Sequence, residues 1–379
     1  MADAGAFIVD DSAELTPAWL TGALAALPDS RVEQLQVERI GVGQGFASRL
    51  FRLTPRYAAG CDGPRSLILK VITDNPTLVR LFNPDIVFRE PRFYHDVAAI
   101  GGLPVPRVYR IETDPVTQRF AVLMADLGTM PFGYEATAAE SAAALRAIAG
   151  VHARYWRQPL LEEPWLQPLT RTELDLPTVF ARAISIATQA GYGDSYMTRA
   201  MRILEPYVLD IAVDGPPPAI ARSLTHGDFH RNNVLHEGGD RLVIFDWQLV
   251  EAGNPLRDVG YWLVTSLTVE QRRAQQEGLL RGYHRALRDA GVTGYGRWAL
   301  SWDLRVGMFE NLAKLYCIPA LIQTDVAMLE MIRDRVEAAA WDIHLVPVAH
   351  FMRAVLLLKR ALKSLRTRLP RAAGAAPTK

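Results

Sequence analysis

Between residues 226 and 246 the chain reads His-Gly-Asp-Phe-His-Arg-Asn-Asn, then Val234-Leu235, a turn, and Leu242-Val-Ile-Phe-Asp246. Each polar cluster abuts a short apolar run, so its side chains sit on a loop held by a strand. An isolated His-Gly-Asp is an ordinary turn, and a lone Asp246 an ordinary strand-end cap. Together, an Asp, an Asn five residues on and a second Asp at the end of a strand pair suit phosphoryl transfer. One carboxylate accepts the proton of an attacking hydroxyl, while an amide oxygen and the other carboxylate hold magnesium on nucleotide phosphates. On this reading Asp228 is the catalytic base, and Asn233 and Asp246 are the metal ligands. A zinc-hydrolase reading of His226, Asp228, His230 and His236 is the alternative. It lacks a second ligand cluster and leaves Asn233 and Asp246 without roles.

A second constellation lies upstream. Lys70 sits inside the strand-like run Leu67-Ile-Leu-Lys-Val-Ile72, where a charge needs a partner, and it is the only lysine before Lys314. A chain that writes arginine almost everywhere has placed a compact point charge there, which suits close approach to phosphate oxygens. Glu90, on a helical stretch, is the natural partner, and a lysine fixed by a glutamate over nucleotide phosphates is a kinase device. Gly41, Gly43 and Gly45 lie between two strands, where their backbone N–H groups could approach phosphates; most such clusters are hairpin turns. Met124 and Ala125, where two parts of the chain join, would offer backbone hydrogen bonds to adenine, although a plain linker would look the same.

Residues 31–124 read as strands and turns with one helix: 32–40, 50–53, 66–72, 108–111 and 120–124 are extended, and 84–100 has helical spacing. Helical periodicity then takes over at 137–156, 178–190 and 195–210, and again from 258 to about 369, with short strands around 234–235 and 242–245. The expectation is an α+β chain with a β-rich N-terminal lobe (1–125), a large helical lobe (126–369) and a disordered tail (370–379). Basic residues (42) nearly cancel acidic ones (41), so no global field draws the chain to nucleic acid or anionic lipid. Cys61 and Cys317 fit a reduced, cytoplasmic protein. No basic-then-apolar leader opens the chain, and the apolar run 354–358 is too short to span a bilayer.

With these residues in this order, the chain resembles the aminoglycoside phosphotransferase and choline kinase superfamily, and is similar to its ecdysteroid kinase-like (CHK-type) branch. The resemblance covers residues 40–263 and is strongest at HGDFHRNNVL and IFDWQ. FREPRFY (88–94), LPVP (103–106), VHARYW (151–156) and GNPLRD (253–258) support it. It implies a protein-kinase-like bilobal fold and ATP- and Mg2+-dependent phosphorylation of a hydroxyl on a small-molecule alcohol. By position, Asp228 is the base, Asn233 and Asp246 bind magnesium, and Lys70 with Glu90 anchors the phosphates. His226 and Asp258 would brace the catalytic loop. The glycine stretch departs from the G-x-G-x-x-G pattern.

Between Asp246 and Asp258 only residues 247–257 intervene and no Ala-Pro-Glu follows, so there is no room for a protein kinase's activation segment. A nucleotide-binding module without turnover is the alternative from another class. Trp247, Tyr261, Trp262, Trp302 and Phe309, with Asp303 or Glu310, are candidates for an acceptor pocket; the same aromatics at helical spacing would equally pack a core.

Overall fold

The side chains of strand β3 (Leu67–Ile72) alternate between two faces. Leu67, Leu69 and Val71 join Phe51, Leu53, Ala121 and Leu123 of neighbouring strands, and Phe7, Val9, Leu20 and Leu24 of the N-terminal segment, in one apolar core. Lys70 therefore falls on the opposite face. In this computed structural model β3 is the centre of an antiparallel five-stranded sheet. Its order is β1 (Val32–Ile40), β2 (Ser48–Tyr57), β3, β5 (Arg119–Ala125) and β4 (Val108–Asp114). The structure describes residues 7–9, 11–41, 48–72, 87–128, 133–168, 175–214, 219–238, 241–321 and 326–368.

A helix absent from the sequence reading, α1 (Pro17–Ala23), covers the core face of the sheet. Its signals are in the chain: Thr16 accepts the Trp19 N–H at 3.1 Å, and Pro17 opens the first turn. The helical stretch expected over 84–100 is described from residue 87. Helix α2 (Arg89–Arg92) widens into a π-type turn at Phe93–Val97 and stops at Gly101, whose φ of 83° suits a residue without a Cβ.

The later helices are α3 (Ala138–Arg154), α4 (Leu176–Gln189), α5 (Tyr196–Leu204), α6 (Val208–Asp214), α7 (Leu256–Thr265), α8 (Val269–Asp289), α9 (Arg297–Leu321), α10 (Val326–Asp342) and α11 (Leu345–Arg368). Helix α3 starts at a capping box in which Thr137 accepts the Glu140 N–H and Glu140 accepts the Thr137 N–H. Two short antiparallel pairs interrupt the helices: β6 (Ser223–Thr225) with β9 (Glu251–Gly253), and β7 (Val234–Gly238) with β8 (Arg241–Ile244). The β-rich beginning and helical remainder agree with the α+β reading. The β6–β9 pair, only three residues a side, was not foreseen.

The chain divides into two compact units, residues 1–168 with 220–304, and residues 169–219 with 305–379. The first holds the sheet, α2, α3, α7, α8 and both strand pairs. In the second, Glu337 on α10 accepts the Tyr196 and Met197 N–H groups that open α5, at 2.5 and 2.9 Å. The Thr198 and Tyr316 hydroxyls meet at 2.9 Å.

Asp303, a candidate pocket acid by sequence, is a brace in the first unit. It is fully buried and accepts the Ile220 N–H (2.7 Å), the Ala221 N–H (2.9 Å) and the Tyr295 hydroxyl (2.8 Å). Its own carbonyl takes the Asn254 amide at 2.7 Å, so it fixes the chain on either side of the β6–β9 pair. Trp247 and Trp262 are likewise fully buried and pack against Phe93 and Phe229. Replacing Asp303 with Ala would leave two main-chain donors and a phenol without an acceptor. The expected loss is about 3 kcal/mol or more in urea unfolding.

Candidate active site

Four segments converge in the first unit. Strand β3 contributes Lys70, α2 contributes Glu90, the loop after β6 contributes residues 226–233, and the end of β8 leads to Asp246. The Lys70 Nζ lies 2.5 Å from Glu90 Oε2 and 2.7 Å from Asp246 Oδ1. Lys70 and Glu90 are 7% and 2% exposed. Burial opposes the charge on Lys70, but Asp246 and Glu90 outweigh it and hold the ammonium above the ordinary lysine range. The same burial pushes the Glu90 carboxyl up, with Lys70 pulling it back.

The loop takes its shape from a buried carboxylate below it. Asp258, near the start of α7, accepts the His226 N–H at 2.7 Å and the Gly227 N–H at 2.9 Å. The His152 imidazole of α3 reaches the same carboxylate at 3.1 Å, and its other ring nitrogen meets the Tyr283 hydroxyl of α8 at 2.8 Å. Three helices thus register on one acid. Burial raises the Asp258 carboxyl, yet His152, His226 and the main-chain donors bring it below its ordinary value. His226, fully buried, accepts the Asp228 N–H through Nδ1 at 3.2 Å and donates Nε2–H to the Phe245 carbonyl at 2.9 Å. Both ring nitrogens are engaged, which suits the neutral ring and leaves neither for zinc.

These bonds bring the loop against the β7–β8 pair. Val234 faces Ile244, and the Phe245 N–H donates to the Asn233 carbonyl at 3.1 Å, so Asn233 and Asp246 lie at neighbouring ends of one ladder. The Ile244 N–H donates to the Pro104 carbonyl at 2.6 Å, which gives the Leu103-Pro-Val-Pro106 motif its place. The Asn233 amide nitrogen donates to the Asp228 carbonyl at 2.9 Å and lies 3.4 Å from Asp228 Oδ2. That turns the nitrogen inward and commits the amide oxygen to the other side. Asp246 adopts φ 65° and ψ 56°, a left-handed conformation that aims its carboxylate at Lys70. The hard oxygens of Asn233 and Asp246 are a donor set that fits magnesium, which takes few protein ligands. Among the described residues no group of three His, Cys, Asp or Glu side chains could hold a metal ion.

Two partners of Asp228 were not foreseen as such, since the sequence reading put Tyr261 in a candidate acceptor pocket and His230 in the zinc alternative. The Tyr261 hydroxyl donates to Asp228, and burial together with that carboxylate keeps the phenol protonated. His230 Nε2 lies 3.5 Å from Asp228 Oδ2. Tyr261 sits three residues after Asp258 on α7, a helical spacing that a linear reading does not convert into contact with residue 228. At the end of β5, Met124 pairs with Ile68, and the Ala125 N–H donates to the Arg107 carbonyl at 2.8 Å. Asp126, also unforeseen, gathers Arg52 (2.8 Å), Ser66 (2.6 Å) and the Gly128 N–H (2.8 Å). Gly41 is described with φ 66°; Gly43 and Gly45 lie outside the described residues.

Compared with known proteins, the sequence matches the profile of the phosphotransferase enzyme family (APH) over residues 54–300. No curated protein matches it. Among solved structures it is similar to a candidate aminoglycoside phosphotransferase from Ralstonia eutropha JMP134. Identity is 16%, the TM-score 0.52, and the match covers 88% of this chain and 98% of that one. A microcompartment-associated aminopropanol kinase is 16% identical with a TM-score of 0.50, over 85% of this chain and 95% of that one. Choline kinase from Cryptosporidium parvum Iowa II is 10% identical with a TM-score of 0.50, over 83% and 92%. At these identities the likeness establishes the fold alone, the protein-kinase-like one expected from the sequence.

Two outcomes follow for the loop. Gly227 has φ +81°, and a Cβ there would lie 2.3 Å from the Leu249 carbonyl oxygen; Gly227→Ala should cost on the order of 3 kcal/mol or more in urea unfolding. His226 is held below its ordinary value of 6.5 chiefly by burial, against the pull of Asp258. The unfolded chain therefore binds a proton that the folded chain resists. The stability linked to His226 is complete above pH 6.5 and is lost as the pH falls below it. The slope approaches 1.4 kcal/mol per pH unit, roughly one proton. Asp258, depressed from 3.8, withdraws its share only below that value. Urea midpoints measured between pH 7.5 and 5 should fall in the native protein and flatten in His226→Gln.

Proposed function

The chain belongs to the phosphotransferase enzyme family, and from that premise we propose that it transfers the γ-phosphoryl group of ATP to a hydroxyl of a small molecule, with Asp228 as base. The observation that carries the reading is the Lys70 ammonium seated between Glu90 and Asp246 at 2.5 and 2.7 Å. Three segments distant in sequence meet at one buried cation, which is the arrangement kinases use to grip nucleotide phosphates.

The remaining roles follow from the bonds already described. Asp228 would accept the acceptor's hydroxyl proton as its oxygen attacks the γ-phosphorus, and the bridging oxygen would leave with ADP. The Tyr261 hydroxyl and the Asn233 amide nitrogen orient that carboxylate. The neutral His226 ring fixes the main chain on either side without adding charge. Asn233 and Asp246 would hold Mg2+, which when bound neutralises charge on the phosphates. Asp246 serves Lys70 through Oδ1, and among the described residues its Oδ2 meets the Gln248 amide at 3.4 Å, which would leave it for a cation. The backbone at Gly41, Gly43 and Gly45 and at Met124 and Ala125 is assigned to phosphates and adenine respectively. Within the family, HGDFHRNNVL and IFDWQ favour the ecdysteroid kinase-like branch and a small alcohol acceptor. A cytoplasmic setting fits the use of ATP; no helix among the described residues is long and apolar enough to cross a membrane.

The direct test is mass spectrometry of a metabolite extract incubated with protein and Mg-ATP, searching for a product heavier by one phosphate. With the acceptor in hand, Asp228→Asn should lower kcat on the order of 10²–10⁴-fold while Mg-ATP binding persists. A variant that kept the full rate would remove Asp228 as base. Thermal stabilisation by Mg-ATP with no phosphorylated product in any extract would favour a binding module instead.

A further inference from the structure

The last helix, α11 (Leu345–Arg368), is apolar on two faces. Leu345, Ala349, Met352 and Leu356 recur every three or four residues and are buried, where α11 packs on α5 within the second unit. Phe351, Val355, Leu358 and Leu362 follow the same spacing on a different face and are 68%, 37%, 61% and 50% exposed. At 1.5 Å per residue this outer band is about 16 Å long. Scattered exposed apolar residues need no account, but a continuous band of four large ones marks a surface that something covers.

The charge of the helix is one-sided. Residues 345–368 contain six arginines and lysines and no aspartate or glutamate, in a chain whose net charge is +1. Lys359 follows Val355 by four and borders the band, Lys363 follows Lys359 by four and turns further towards the face packed on α5, and both are exposed. Arg360 is anchored to Asp210 of α6 at 3.0 Å, which pins this turn and keeps the apolar band outward.

We propose that α11 lies flat on an anionic lipid surface, its apolar band at headgroup depth and its lysines on lipid phosphates. A second copy of the helix is a poor partner, because residues 345–368 hold no aspartate or glutamate to meet the other copy's lysines and arginines. A protein groove is poorer than lipid, since the band is one phenylalanine and three aliphatic side chains, without the tryptophan, tyrosine or arginine anchors that protein partners grip. The near-zero net charge of the whole chain does not oppose this, because the attraction is local and decays within a Debye length. The helix lies on the bilayer and does not cross it.

The test is flotation of the full chain with vesicles of phosphatidylcholine alone or mixed with phosphatidylglycerol. Binding should require the anionic lipid and weaken in high salt. Each lysine near the surface contributes roughly fivefold in partitioning, so Lys359→Glu with Lys363→Glu should lower it by about 25-fold or more. Phe351→Ser with Leu358→Ser should abolish it. All four positions are exposed, so melting temperatures should stay put; if the serine pair unfolds the protein, Leu362→Gln alone serves, with a smaller loss. Failure of the native chain to float with anionic vesicles overturns the proposal, as does flotation that ignores the apolar substitutions. Retention on polyglutamate without vesicle binding would assign the face to an acidic protein. A sedimentation dimer lost in Phe351→Ser with Leu358→Ser would assign it to a second copy. Either result would displace the lipid. None of these readouts depends on phosphoryl transfer.

Discussion

A buried ammonium is untenable alone, and much of the first unit is arranged to satisfy Lys70. An ion moved out of water costs several kcal/mol unless opposite charge and hydrogen bonds replace the solvent. Glu90 and Asp246 make that replacement, and neither can reach β3 unless its own segment is correctly placed. Helix α2 must lie against the face of the sheet opposite the apolar core, with Glu90 turned inward. The ladder of β7 and β8 must end where Asp246 faces the same cation. The stacked rings of Phe93 and Trp247, 4.2 Å apart, couple these two segments through packing as Lys70 couples them through charge.

Asp258 does for the loop what Lys70 does for the sheet. Its two oxygens collect two main-chain donors and an imidazole, so the loop's backbone is set by an acid that faces inward. The consequence is a division of labour between carboxylates. Asp258 is fully enclosed and braces; Asp228 and Asp246 are partly open, one beside Tyr261 and Asn233, the other beside Lys70. On the proposed reading a metal-bound nucleotide needs carboxylates near solvent, and Asp228 and Asp246 are the partly open pair. The buried His226 fits the same logic, since a neutral imidazole with both nitrogens engaged adds rigidity to a polar site without another charge to balance.

Much of the fold, and the residues of the candidate site, were legible along the chain, for reasons that differ by element. Lys70 stood out because a charge inside an apolar strand of a lysine-poor chain demands a partner. Asp228, Asn233 and Asp246 stood out because polar clusters at the ends of apolar runs occupy fixed positions on strand ends. The strand periodicity of 32–40 and 66–72 and the helical spacing of 137–156 correspond to β1, β3 and α3. The roles proposed for Asp303, Trp247 and Trp262 in an acceptor pocket were misplaced. An acid or an aromatic on a helix looks the same whether it faces a cleft or the core.

What the sequence by itself determined, then, is which residues must be close: local pattern fixes strands, helices and the loops between them, and an unpaired charge in an apolar run announces a missing neighbour. Only the tertiary structure decided which neighbours the polar groups take. The bond from Tyr261 to Asp228, the chain from Tyr283 through His152 to Asp258, and the clamp of Asp303 on residues 220 and 221 each join segments far apart or side chains on different elements. Hydrogen-bond partners depend on distances and angles of a few tenths of an ångström, and no period of 2 or 3.6 residues carries that information.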